Sequence, residues 1–167
     1  VKHHRITFVT GTRADFGKML PLLRAVEGDP ELVCEIVATG MHLMSNYGYT
    51  FNEIRIAGFS NIFPIFNQDS TISQKMDLAL ASTIVPFSHY VSERSPELIV
   101  VHGDRVESLA AVIVGSLNNV KVAHIEGGEL SGTIDESLRH AITKLATIHF
   151  VSNETAQRRL MQLGEEE

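Results

Sequence analysis

Tryptophan is absent from the 167 residues and cysteine occurs once, at Cys34. A lone cysteine forbids an internal disulfide, so a packed core must hold the fold, and the setting Leu32-Val33-Cys34-Glu35-Ile36-Val37 marks Cys34 as a small buried hydrophobe. No apolar run approaches the ~20 residues of a membrane span, and the opening Val1-Lys2-His3-His4-Arg5 leads toward a strand rather than into a signal-peptide core. A cytoplasmic location is the expectation. Basic residues are outnumbered, 14 Lys and Arg against 20 Asp and Glu for a formal net charge of −6, and they form no run. Nucleic acid and anionic membrane surfaces are therefore not expected as partners, and any anionic ligand must be met by a local site. Repeats, low-complexity tracts and linkers are also lacking, and a chain that is 44% hydrophobic is long enough for one substantial core. One domain over residues 1–167 is expected.

What is present is an alternation of short apolar runs with amphipathic stretches, the pattern of βα units feeding a parallel sheet. Strands are predicted at Ile6–Thr10, Val33–Thr39, Ile62–Phe66, Leu98–His102, Val120–Ile125 and Ile148–Ser152, several continuously apolar, as strands covered on both faces should be. Helices are predicted at Asp15–Glu27, Tyr47–Ala57, Ser70–Arg94, Arg105–Asn118, Asp135–Ala146 and Glu154–Leu163. Gly28-Asp29-Pro30 and Ser95-Pro96 stop helices ahead of strands. The fold class is α/β, a Rossmann-like three-layer αβα arrangement around a parallel sheet, in which ligands sit beyond the carboxyl ends of the strands.

Three strand-to-helix junctions carry candidate chemistry. The first, Thr10-Gly11-Thr12-Arg13-Ala14-Asp15-Phe16-Gly17-Lys18, places Arg13 and Lys18 where a helix N-terminus meets a phosphate. It is neither a Walker A loop, since Met19 follows Lys18 and five residues separate Gly11 from Gly17, nor a dinucleotide Gly-x-Gly-x-x-Gly loop. The second, His102-Gly103-Asp104-Arg105, offers Asp104 as proton acceptor or helix cap. Arg105 opposes the dipole of the helix it opens, so a bound diphosphate, Glu107 or Asp104 must offset it. The third follows Val120–Ile125 and runs His124-Ile125-Glu126-Gly127-Gly128-Glu129-Leu130-Ser131-Gly132-Thr133-Ile134-Asp135-Glu136-Ser137-Leu138-Arg139-His140.

In that third junction Thr133 and Glu136 fit a capping box, with Glu136 bonding back to Thr133. Asp135 shares a helical stripe with Leu138, Ile142 and Leu145, so its carboxylate is predicted to face inward, either pairing with Arg139 or joining Glu126 and Asp104 in a site. Carboxylates gathered so closely have divided proton affinities, one acting as acid and another as base. His102-x-Asp104 and His124-x-Glu126 also have the spacing of metal ligands on one side of a strand end. The first strand carries no Asp-x-His and no Gly-Asn-His segment follows, so no metal is expected. His42, His89, His140 and His149 read as ordinary polar or half-buried residues.

These junctions, with Thr39-Gly40-Met41-His42-Leu43 and the continuation Ala141-Ile142-Thr143-Lys144, resemble the hydrolysing UDP-N-acetylglucosamine 2-epimerases of sialic acid biosynthesis, through nearly the whole chain. The resemblance implies the first domain of a two-domain GT-B-type fold, with the active site in the cleft between two Rossmann-like domains. The C-terminal domain, absent from this chain, supplies much of the uridine and diphosphate pocket and a catalytic histidine. It implies a UDP-sugar substrate, no cofactor, and elimination of UDP to a 2-acetamidoglucal followed by hydration to N-acetylmannosamine. Asp104, Glu126 and Asp135 match the family's catalytic carboxylates, while Arg13, Ala14, Lys18 and Arg105 match or adjoin its UDP contacts. Related enzymes act on UDP- or GDP-linked N,N'-diacetylbacillosamine. A GT-B glycosyltransferase half, or a nucleotide-sugar-binding module without turnover, is the reading from another class. Family members self-associate as dimers or tetramers, and Ile72–Val91, with Leu78, Ala81, Val85 and Tyr90, is the expected interface unless it is simply a buried helix.

Overall fold

In the computed structural model, which describes residues 3–68 and 75–166, strands and helices alternate along the chain. They are β1 (His4–Thr10), α1 (Arg13–Glu27), β2 (Leu32–Thr39), α2 (Phe51–Ile56), β3 (Ile62–Ile65), α3 (Met76–Arg94), β4 (Leu98–His102), α4 (Val106–Leu117), β5 (Lys121–Ile125), α5 (Ile134–Leu145), β6 (Ile148–Phe150) and α6 (Glu154–Gln162). All strand pairs are parallel, in the order β3-β2-β1-β4-β5-β6. Because side chains alternate across a strand, each apolar run feeds two cores. Phe8, Ile36 and Val100 pack with Phe16, Met19, Leu23 and Ile54 of α1 and α2 on one face. Val9, Val37, Ile99 and Val101 pack with Phe87, Val91, Val112 and Ile142 of α3, α4 and α5 on the other. The strand order reverses between β1 and β4, which are neighbours in the sheet, so the loops after them diverge to opposite faces and open a crevice at their carboxyl ends.

The predicted elements are found with shifted ends and one substantive change. In place of one helix over 47–57 there is a 3₁₀ turn at Ser45–Tyr47, then Gly48 at φ 81°, then the short α2. The left-handed glycine breaks the helical path, and buried His42, bonded to the hydroxyls of Thr10 (2.9 Å) and Thr50 (2.8 Å), ties this segment to β1. The predicted helix Ser70–Arg94 is described from Met76, and residues 70–74, with Ile72 of the expected interface, lie outside the described residues. On α3, Leu78, Ala81 and Val85 are exposed, but Tyr90 is buried, its hydroxyl donating to Glu35 at 2.6 Å. Tyr90 therefore belongs to the core and not to a surface stripe. Among the described residues no helix is long and apolar enough to cross a membrane.

Candidate functional site

The first turn of α1 is set by Thr12, whose hydroxyl accepts from the Asp15 backbone N–H at 3.2 Å. Arg13 and Ala14 are exposed on that turn, and Arg13 Nε lies 3.0 Å from Glu53 on α2. Lys18, one turn on, reaches across to Glu126 after β5, with Nζ 3.0 and 2.7 Å from the two carboxylate oxygens. Glu126 stands at φ 62°, a left-handed backbone that costs a residue with a Cβ about 1–2 kcal/mol. Burial works to raise its pKa, but the Lys18 bond and the charges of His102 and Lys18 outweigh it and hold Glu126 below the ordinary carboxylate range.

Between α1 and Glu126 lies the His102 ring at the end of β4, buried, with Nδ1 3.4 Å from Asp15 and Nε2 3.1 Å from Glu126. Both nitrogens are within ion-pair distance of a carboxylate yet out of line for a hydrogen bond. Burial also opposes ionisation of Asp15, and His102, Thr12 and Arg105 together overcome it, so its pKa falls too.

A cavity of about 320 Å³ opens beside this cluster, lined by Asp104, Arg105 and Val106 after β4, Asp135 on α5, Gln68 after β3, and Met76 and Ala79 on α3. Two carboxylates, a guanidinium and an amide in one cleft can move a proton and neutralise an anion together. Asp104 does not cap α4. Arg105 occupies that position without a side-chain capping bond, and Asp104 is paired with Arg139, which also donates to the Glu129 carbonyl at 2.9 Å. Arg139 is thus the partner of Asp104 rather than of Asp135, because it reaches across to the neighbouring loop instead of back along its own helix. Arg105 is oriented by buried Glu107, 3.2 Å from its Nε, and Glu107 also accepts from Gln68 at 3.2 Å. Asp135 contacts the hydroxyl of its own N-cap, Thr133, at 3.2 Å. Glu136 accepts from the N–H groups of Ser131 (3.0 Å) and Gly132 (2.9 Å), not from Thr133, since the loop turns back over the start of the helix.

The structure therefore gathers Asp104, Arg105 and Asp135 in one cavity, sets Glu126, after β5, and Lys18, on α1, as an ion pair, and leaves Arg13 and Ala14 on the outer turn of α1. His124 is a core residue rather than a metal ligand. Its Nε2 donates to the Gly103 carbonyl at 2.7 Å while Nδ1 accepts from Thr143, and burial pushes its pKa down to about 4. Among the described residues no group of three or more His, Cys, Asp or Glu side chains is placed to hold one metal ion. Glu107, one of the groups expected to offset Arg105, does so. The contacts of Asp15 with His102 and of Arg139 with Asp104 were not singled out from the sequence, since they join residues far apart in the chain.

Strand order and crevice define a Rossmann-like α/β domain, the architecture found in GT-B-type epimerases. The chain belongs to the UDP-N-acetylglucosamine 2-epimerase family, whose model matches residues 24–167. It is 46% identical over 161 residues to a UDP-N-acetylglucosamine 2-epimerase of Neisseria meningitidis serogroup B, covering 96% of this chain and 42% of that protein. It is 40% identical over 165 residues to a UDP-N,N'-diacetylbacillosamine 2-epimerase (hydrolyzing) of Legionella pneumophila, covering 98% of this chain and 44% of that protein. Its fold matches the crystal structure of a UDP-GlcNAc 2-epimerase from Neisseria meningitidis bound to UDP-GlcNAc, with a TM-score of 0.85, 18% identity, and coverage of 97% of this chain and 44% of that one. The chain thus spans less than half the length of these relatives.

Proposed function

We propose that this chain is the N-terminal domain of a hydrolysing UDP-N-acetylglucosamine 2-epimerase that releases UDP and N-acetylmannosamine for sialic acid biosynthesis. The observation that carries this reading is the shared cavity of Asp104, Asp135 and Arg105 beside the Lys18–Glu126 pair. A carboxylate takes the C2 proton of the sugar as the C1–O bond to UDP breaks, leaving a 2-acetamidoglucal. Water then adds at C1 and a proton returns to C2 from the opposite face. Asp104, Glu126 and Asp135 are the proton-transfer groups, while Arg13, Ala14, Lys18 and Arg105 meet the departing nucleotide, with a second domain closing over it. No metal or redox cofactor is needed for these steps.

The test is Asp104→Asn, Glu126→Gln and Asp135→Asn in the full-length protein, each expected to cut turnover by ~100-fold or more with UDP affinity largely kept. A variant with unchanged turnover removes that carboxylate from the site. The same reaction on UDP- or GDP-N,N'-diacetylbacillosamine is the second reading, favoured by the 40% identity to the Legionella enzyme. Turnover of that substrate, with none of UDP-N-acetylglucosamine, would select it.

A further inference from the structure

Three buried histidines stand near the carboxyl ends of the strands, and they are satisfied differently. His42 has a threonine hydroxyl on each nitrogen, and His124 has a carbonyl on one and a hydroxyl on the other. Both are structural in the ordinary sense, since buried polar atoms are normally paired. His102 is also buried, with 6% of its surface exposed, but each nitrogen faces a carboxylate and neither makes an aligned hydrogen bond. One of those carboxylates, Glu126, projects from a left-handed backbone position.

We propose that His102 is a positioning residue for Glu126, its ring wedged against Asp15 so that with Lys18 it fixes the Glu126 carboxylate at the crevice. The groups around it are consistent in sign. Asp15 backs the ring from α1, Lys18 of the same helix approaches Glu126 from solvent, and Arg105 adds its charge near Asp15. His124, on β5 behind it, is held neutral by burial. Lys18 is half exposed while His102 is not, so the ring is the partner that solvent and salt screen least. The catalytic importance of this placement rests on the proton-transfer role proposed for Glu126; the placement itself does not.

The test is a pH titration of the Glu126 side-chain carboxyl by carbon NMR in glutamate-labelled full-length protein, with the resonance assigned through Glu126→Gln. In His102→Asn the Glu126 midpoint should rise by about one pH unit, as expected for loss of a nearby opposite charge. The acid limb of kcat should move with it, while KM stays within about twofold. His102→Gln, which returns an N–H near the Nε2 position, should recover part of kcat without restoring the midpoint, and it carries the test if His102→Asn fails to fold. An unmoved Glu126 midpoint overturns the proposal, whatever happens to kcat. A shifted midpoint in a protein that turns over no nucleotide sugar supports the positioning and overturns the proposed reaction instead.

Discussion

Gly128 and Gly132 lie in the same loop between β5 and α5, both in the left-handed region at φ 82° and 68°, yet their surroundings differ. A Cβ at Gly132 would meet nothing within 4 Å, whereas one at Gly128 would stand 2.5 Å from Leu160 Cδ1 and 2.6 Å from the Ala156 carbonyl oxygen. The leucine tip can swing aside, but the carbonyl is α6 backbone and cannot. Gly132→Ala therefore meets only the left-handed penalty, about 1–2 kcal/mol. Gly128→Ala adds the cost of forcing α6 away, about 1–3 kcal/mol by analogy with overpacked cores, for a total of about 2–5 kcal/mol. Urea unfolding monitored by circular dichroism, with a shared m-value, measures both. The expected result is a loss for Gly128→Ala that exceeds that for Gly132→Ala by at least about 1 kcal/mol. Equal losses would refute the close seating of α6 on this loop, and with it the route by which Arg159, bonded to the Gly128 carbonyl, braces the loop that begins at Glu126.

Arg13→Ala should weaken UDP binding to the full-length protein by ~1.5–3 kcal/mol in calorimetric titration, the value of a charged hydrogen bond, whereas Glu53→Ala should leave affinity unchanged or improved by freeing the guanidinium. Unchanged affinity in Arg13→Ala would assign that arginine to the solvated surface. His124, with a folded pKa of about 4 against an ordinary 6.5, contributes stability that is intact above pH 6.5 and lost as pH falls toward 4. Imidazole nitrogen NMR should find it neutral at pH 6 with the proton on Nε2, and a cationic ring there would contradict the assignment. Burial alone would raise the pKa of Glu35, but Arg94, Tyr90 and Arg5 hold it below the ordinary carboxylate range, so its contribution is present above that range and disappears as pH falls through the lowered value. Glu35→Gln should therefore flatten the acid end of the stability profile, and an unchanged profile would remove Glu35 from it.

Element type was legible because the strands are continuous apolar runs buried on both faces, as Ile99-Val100-Val101 shows, and because Thr133 marks a helix start by local chemistry. The segment over 47–57 was not, since its apolar spacing suits a helix while Gly48 and the tether from His42 impose turns. Asp104, Arg105 and Asp135 could be placed near one another because each follows a strand or opens a helix at the same end of the sheet. Glu107 beside Arg105 was within local reach, but the partners that cross between loops could not be read so. Lys18 with Glu126 and Arg139 with Asp104 join loops from different βα units, and no local periodicity encodes which charge crosses which gap. Helical spacing offered Asp135, one turn away, as one of two possible arrangements for Arg139. The fold lets its long side chain reach the adjacent loop instead.

The measurement that bears most directly on the proposed function is proton NMR of the full-length protein with UDP-N-acetylglucosamine in D₂O containing EDTA. Release of UDP together with N-acetylmannosamine carrying deuterium at C2 is the predicted result, since elimination removes the original C2 proton and hydration replaces it from solvent. N-acetylmannosamine that retains the C2 proton, or UDP released with unepimerised sugar, would contradict it.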